Sequence, residues 1–162
     1  MKNIIHDKGN LEFMENNINE LSTYIGKKDE YYIGRFKNEK NKINFAAFFL
    51  GPLWLGYRKM YLESFILGLG VAVLGAMLIV YEYSFDVMVS QSTIRSVNIG
   101  LQAVLGVSGN YLYFMSLKRK ITKKEEKYGV SKKGILYGFL LGVIMPILSS
   151  IVIGFLVQYL WF

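Results

Sequence analysis

Few residues in this chain carry the chemistry of catalysis. There is one histidine, His6, and no cysteine among 162 residues. That excludes a thiolate nucleophile, a disulfide framework, a thiolate zinc site and an iron–sulfur cluster. A histidine pair for a metal or a proton relay is excluded as well. Glu125 and Glu126 form a carboxylate pair, but they stand among lysines and read as charge balancing. Gly68-x-Gly70 lies inside an apolar run rather than after a strand, so it is not a phosphate loop. What remains is Glu63, Asn98, Gln102 and Asn110, set in or beside long uncharged runs. Where such runs lie in lipid, polar groups are costly and mark either function or helix–helix adhesion. Glu63 follows Lys59 by four residues, the spacing of an ion pair along one helix face. Asn98 and Gln102 are one turn apart, and Asn110 stands beside Gly106 and Gly109. Ser149 and Ser150 follow Pro146 by about a turn, placed to bond carbonyl groups that proline frees. The pattern reads as adhesion. The chain is expected not to be an enzyme and to use no cofactor and no metal.

These residues need elements to hold them, and the composition says which. Apolar residues make up 52% and charged residues 19%, below the roughly 25% of a soluble domain. No charge occurs from Ser96 to Leu117, and none from Gly134 to Phe162. About 20 apolar residues cross a bilayer. The expected fold is an all-α membrane protein with about three transmembrane helices, at 60–81, 96–117 and 134–160. A fourth apolar segment, 43–57, is short for a span, and Gly51-Pro52 interrupts it. Proline removes a donor and restricts the residue before it, so a re-entrant or in-plane hairpin is expected there. Residues 1–42 are polar. Leu11, Met14, Ile18 and Leu21 recur at helical spacing, and Asp29 reads as the N-cap of a second helix carrying Tyr32, Ile33 and Phe36.

The net charge of +7 is local, which favours a membrane surface over nucleic acid. The segment 82–95 carries Glu82, Asp86 and Arg95, whereas 118–133 holds eight basic residues against two glutamates. Loops rich in Lys and Arg stay in the cytoplasm. The basic loop is therefore expected inside, with a cytoplasmic N-terminus, an external C-terminus, and a multi-pass place in a bacterial cell membrane. Arg35, Lys37, Lys40, Lys42, Arg58 and Lys59 fall on the inside in this scheme. Tyr81, Tyr83, Tyr159, Trp161 and Phe162 mark the opposite boundary, where amphipathic rings sit at the interface.

Helices in lipid associate through close packing, which small residues permit. One stripe at four-residue steps is Gly134, Gly138, Gly142, Pro146, Ser150 and Gly154. A second is Ser64, Gly68, Ala72 and Ala76. The two grooves are expected to meet, with a kink at Pro146.

Residues 27–61 carry a motif. Tyr31, Tyr32, Phe36 and Lys37 form a lead, followed by Asn44, Ala47, Phe48, Phe49, Gly51, Trp54, Tyr57, Arg58, Lys59, Met60 and Tyr61. This ordered set resembles the bacterial membrane proteins of the domain-of-unknown-function 2628 family. Arg35 and Phe45 replace the lysine and tryptophan usual in that family. The resemblance implies a bacterial integral membrane protein and adds no mechanism.

Physically, the motif reads as an interfacial anchor. Phe45, Phe48, Phe49 and Trp54, beside Pro52, are expected to enter the membrane boundary. Arg58 and Lys59 are expected to meet anionic lipid head groups. The function expected is non-catalytic binding of a lipid or protein partner, or of further copies of the chain, with no nucleic acid. The alternative is a transporter or channel component that needs oligomers, its path lined by Asn98, Gln102 and Asn110.

Overall fold

A computed structural model gives the fold, and residues 7–37, 43–125 and 129–161 are described. His6, Lys40, Lys42, Glu126 and Phe162 fall outside the described residues. Among the described residues all regular structure is helical. In chain order the helices are α1 (Lys8–Asn16), α2 (Ile18–Ile25), α3 (Asp29–Lys37), α4 (Phe45–Leu50), α5 (Pro52–Tyr57), α6 (Tyr61–Phe85), α7 (Gln91–Thr122), α8 (Lys132–Phe139) and α9 (Met145–Trp161). A π-helical turn, Leu140–Ile144, joins α8 to α9 in one continuous rod.

The local causes are legible. The expected single amphipathic helix is two, because Asn17 interrupts it while Met14 and Leu21 both stay buried. Asp29 is the first residue of α3 rather than its cap, and its carboxylate accepts a hydrogen bond from the Ser22 hydroxyl. The segment 43–57 folds as two short helices hinged at Gly51. Gly51 takes φ +48, a left-handed conformation glycine adopts without strain. Pro52 then opens α5, a position where its missing N–H costs nothing. Ser90 and Ser131 cap α7 and α8 by accepting from Thr93 N at 3.2 Å and Gly134 N at 3.0 Å.

Among the described residues, two helices are long and apolar enough to cross a membrane: α6, with 25 residues, and the rod Lys132–Tyr159, with 28. Only 17% of the most apolar stretch of each is buried. A core helix of a soluble domain would be mostly covered, so these two present bare apolar surface. The third expected span is not among them. α7 is the longest helix, at 32 residues, but freedom from charge is not apolarity. Ser96, Asn98, Gln102, Ser108 and Asn110 interrupt it. The helices also outrun the expected bounds. α7 takes in Lys118, Arg119 and Lys120 from the expected basic loop.

The packing has a definite hierarchy. α6 lies along α9, α5 lies against α8, and α4 lies against α7. The α4–α5 hairpin thus bridges α7 to the other two long helices. On one side, α1–α3 cap the hairpin and the C-terminal half of α7. The buried core sits there, with Met14, Leu21, Ile25, Tyr32, Phe36, Trp54, Leu55, Tyr113, Phe114 and Leu117.

The small-residue stripes meet in part, with an added partner. Ser64 Oγ lies 3.5 Å from the Gly138 carbonyl, and Gly68 abuts Leu141 and Gly142. A Cβ at Gly142 would stand 2.7 Å from Pro52 Cγ, and Gly134 and Gly138 press on the backbone of α5. Ala72 is buried, and Ala76 is half-buried. Ser150 faces Gly75, which the stripe did not include, with its Oγ 2.9 Å from a Cβ built there. Gly154 has nothing within 4 Å and lies outside the packing. The π-helical turn just before buried Pro146 absorbs its missing donor. Ser149 and Ser150 bond the carbonyls of Met145 and Pro146 at 2.8 and 2.9 Å. Those are not the carbonyl that Pro146 frees, one turn earlier, which corrects that expectation.

Candidate functional site

The most unusual chemistry in the molecule is a buried cation ringed by aromatic faces. Arg58 follows α5 and is 4% exposed. Its guanidinium carbon lies 4.3 Å from the centre of the Tyr32 ring, 5.0 Å from that of Tyr113 and 5.8 Å from that of Tyr57. One terminal nitrogen donates to the Tyr113 hydroxyl at 3.3 Å. Nε is buried without a hydrogen-bond partner among the described residues. A desolvated cation over ring faces gains about 2 kcal/mol per good contact, so the tyrosines take the place a carboxylate would usually fill. Behind them, Tyr32 meets Tyr113 edge-on at 4.9 Å, Trp54 meets Tyr113 at 6.0 Å, and Phe36 packs on Phe114 at 5.4 Å.

The two halves of the motif therefore converge in space. Tyr32 and Phe36 come from α3 and Trp54 from α5, and all three pack on Tyr113 of α7. This corrects two expectations. Trp54 and Arg58 lie inside the protein, not at a lipid boundary, because the cap of α1–α3 covers them. Sequence reading missed Tyr113 and Phe114. Their signal was the aromatic cluster Tyr111–Phe114 in an otherwise aliphatic run.

The rest of the motif divides by exposure. Asn44 caps α4 through its side-chain oxygen, which accepts from Ala47 N at 3.0 Å. Its amide nitrogen donates to Asn110 Oδ1 at 3.0 Å, and its backbone N–H donates to the Gly106 carbonyl at 2.8 Å. Ala47 and Phe48 seat on Gly109 and Gly106, where added Cβ atoms would stand 2.8 and 3.0 Å away. Asn110 is thus committed to helix adhesion. Phe45 and Phe49 point outward, 64% and 72% exposed. Tyr31 is exposed beside Arg35, whose guanidinium lies 4.9 Å from its ring centre. Tyr61 meets Tyr137 of α8 at 5.4 Å. Asn98 and Gln102 are exposed on α7.

Charge at the joint is also rearranged. Glu63 pairs with Arg119 of α7 at 3.0 Å. Lys59 lies before α6 in a left-handed conformation, so the helical spacing expected for it and Glu63 does not arise. Lys120, beyond the uncharged stretch of α7, is 4% exposed and donates to the Arg58 carbonyl at 3.4 Å. Burial pushes its ammonium down to about 8, while Glu63 and Glu125 pull the other way.

The sign of the resulting pH effect is fixed. The unfolded chain holds that proton to near 10.5, so it binds more protons between pH 8 and 10.5, and stability rises with pH across that window. Lys120→Met removes the term. In denaturation from pH 7.5 to 10, the wild type is expected to gain about 2 kcal/mol on this variant. A constant difference would place Lys120 in water.

Beside this aromatic box around Arg58, a cavity of about 580 Å³ lies between the start of α3 and the start of α4. Lys27, Lys28, Asp29, Glu30, Tyr31 and Phe45 are among its lining residues, so two cations stand beside two carboxylates. Among the described residues no cluster of His, Asp or Glu has the makings of a metal site.

A model of the family DUF2628, a protein of unknown function, matches residues 7–119. No curated protein and no solved structure matches the chain. The match runs well beyond the motif at 27–61, from α1 into the charged end of α7. It takes in every residue of the box, Tyr113 included, and ends before α8 and α9. By that match, the chain belongs to the DUF2628 family.

Proposed function

We propose that this chain is a multi-pass membrane protein, bacterial as the resemblance implies, that performs no catalysis and binds a partner at the cytoplasmic surface. α6, α7 and the α8–α9 rod make three crossings, and the α4–α5 hairpin enters from the cytoplasmic side without crossing. Lys118, Arg119, Lys120, Lys123 and Lys124 hold the α7–α8 connection inside, which leaves the C-terminus external.

One observation carries the binding role. Asn110 and Glu63 are spent on adhesion, to Asn44 and Arg119, whereas Lys27 and Lys28 line an open cavity, together with Asp29 and Glu30, beside exposed Phe45. Cations over an exposed apolar face suit an anionic lipid head group or an acidic protein segment at the interface. A photo-reactive group placed at Tyr31 in native membranes tests this. The expected result is a discrete lipid or protein adduct that Lys27→Gln with Lys28→Gln weakens severalfold. An adduct profile unchanged by those two substitutions would contradict the reading.

A further inference from the structure

The N-terminal half of α7 is a long stretch that the fold leaves unpacked. Every residue from Gln91 to Val104 is exposed except half-buried Leu101. Gly100 has nothing within 4 Å. Between this half and the other two long helices runs a groove of about 540 Å³, floored by Gly51 and Pro52 at the hairpin tip. Leu67 and Val71 of α6 and Pro146 of α9 form the far wall, and Asn98 and Gln102 of α7 project into it. Neither amide makes a hydrogen bond among the described residues.

An apolar wall is at home in lipid, but two unbonded amides one turn apart are not. An acyl chain offers no donor or acceptor, so lipid filling the groove would leave both amides bare. The occupant has to bring donors and acceptors to that depth. A carboxamide both donates and accepts, so it is complementary to itself. A second copy, related by a two-fold axis along the membrane normal, brings the same two amides to the same depth. Interhelical amide contacts of this kind are an established adhesive between transmembrane helices.

We infer that the chain forms a homodimer through the N-terminal half of α7, with Asn98 and Gln102 of the two copies meeting in the groove. This rests on the reading that α7 crosses the membrane.

The absence of cysteine makes the test direct. Leu101→Cys sits between the two amides on the groove face, and Ala103→Cys sits on the far face. In native membranes under a mild oxidant, Leu101→Cys is expected to give a disulfide-linked dimer at least fivefold more than Ala103→Cys. Adding Asn98→Leu and Gln102→Leu to Leu101→Cys is expected to cut that dimer severalfold. Both amides are exposed and unbonded within one copy, so thermal unfolding of the monomer is expected to stay unchanged. Equal cross-linking from both faces, a monomer only, a dimer that survives the leucine pair, or an adduct with a different protein would each overturn the inference. If alkaline carbonate strips the chain from the membrane, the crossing itself fails, and the pairing with it. A chain that stays in the membrane but does not pair sinks only the pairing.

Discussion

Gly56→Leu breaks the joint between α5 and α8, with an expected loss on the order of 3 kcal/mol and a fall in Tm on the order of 10 °C in detergent. A Cβ at Gly56 would stand 2.7 Å from both N and Cα of Gly138, and closer still to the Gly134 carbonyl. All of these are backbone atoms, so no side chain can swing aside. The two helices would have to separate, and α5 is half of the hairpin that bridges α7 to the rest. Gly154→Leu is the matched control. It adds the same bulk to α9, in the rod against which α5 packs, where nothing lies within 4 Å, and is expected to leave Tm unchanged. If Gly56→Leu unfolds at the wild-type temperature, the backbone contact between α5 and α8 does not exist.

Arg58→Lys is expected to destabilise the cap nearly as much as Arg58→Ala, by about 3 kcal/mol. Lysine keeps the charge but loses the flat group that spans Tyr32 and Tyr113 and reaches the Tyr113 hydroxyl. With no carboxylate among the described residues bonded to Arg58, the ring faces are what hold it. Tyr113→Phe keeps the face and removes only the oxygen, so it is expected to cost about 1 kcal/mol. Denaturation monitored by tryptophan fluorescence reads this directly, because Trp54 packs on Tyr113. A lysine variant as stable as the wild type would reduce the box to simple charge accommodation.

Much of the fold can be read from the chain because charge-free runs and helical spacing are local properties. The rods at α6 and α8–α9 follow from composition, and the hinge at Gly51-Pro52 follows from the backbone demands of those two residues. The glycine stripe at 134–142 announced a close approach and one of its partners, the Ser64–Gly68 stretch of α6, but not the other. The other is α5, a six-residue helix with too little surface to betray a face. Arg58 misled for a related reason. Tyr-Arg-Lys at the end of an apolar segment has the form of a membrane boundary, and only tertiary packing puts Tyr113, 55 residues away, against it. α7 shows the limit of counting charges. Its uncharged run is long enough to cross, yet its amides and serines make it the least lipid-like of the long helices.

Thiol labelling in intact cells addresses whether these rods lie in lipid and which way they run. Met88, 97% exposed between α6 and α7, and Lys124, after α7, stand at opposite ends of that helix. With an impermeant reagent, Met88→Cys is predicted to label in intact cells, and Lys124→Cys only after the membrane is opened. Labelling of Lys124→Cys alone in intact cells would invert the orientation, and labelling of neither until lysis, with the protein in the aqueous fraction, would contradict the membrane reading altogether.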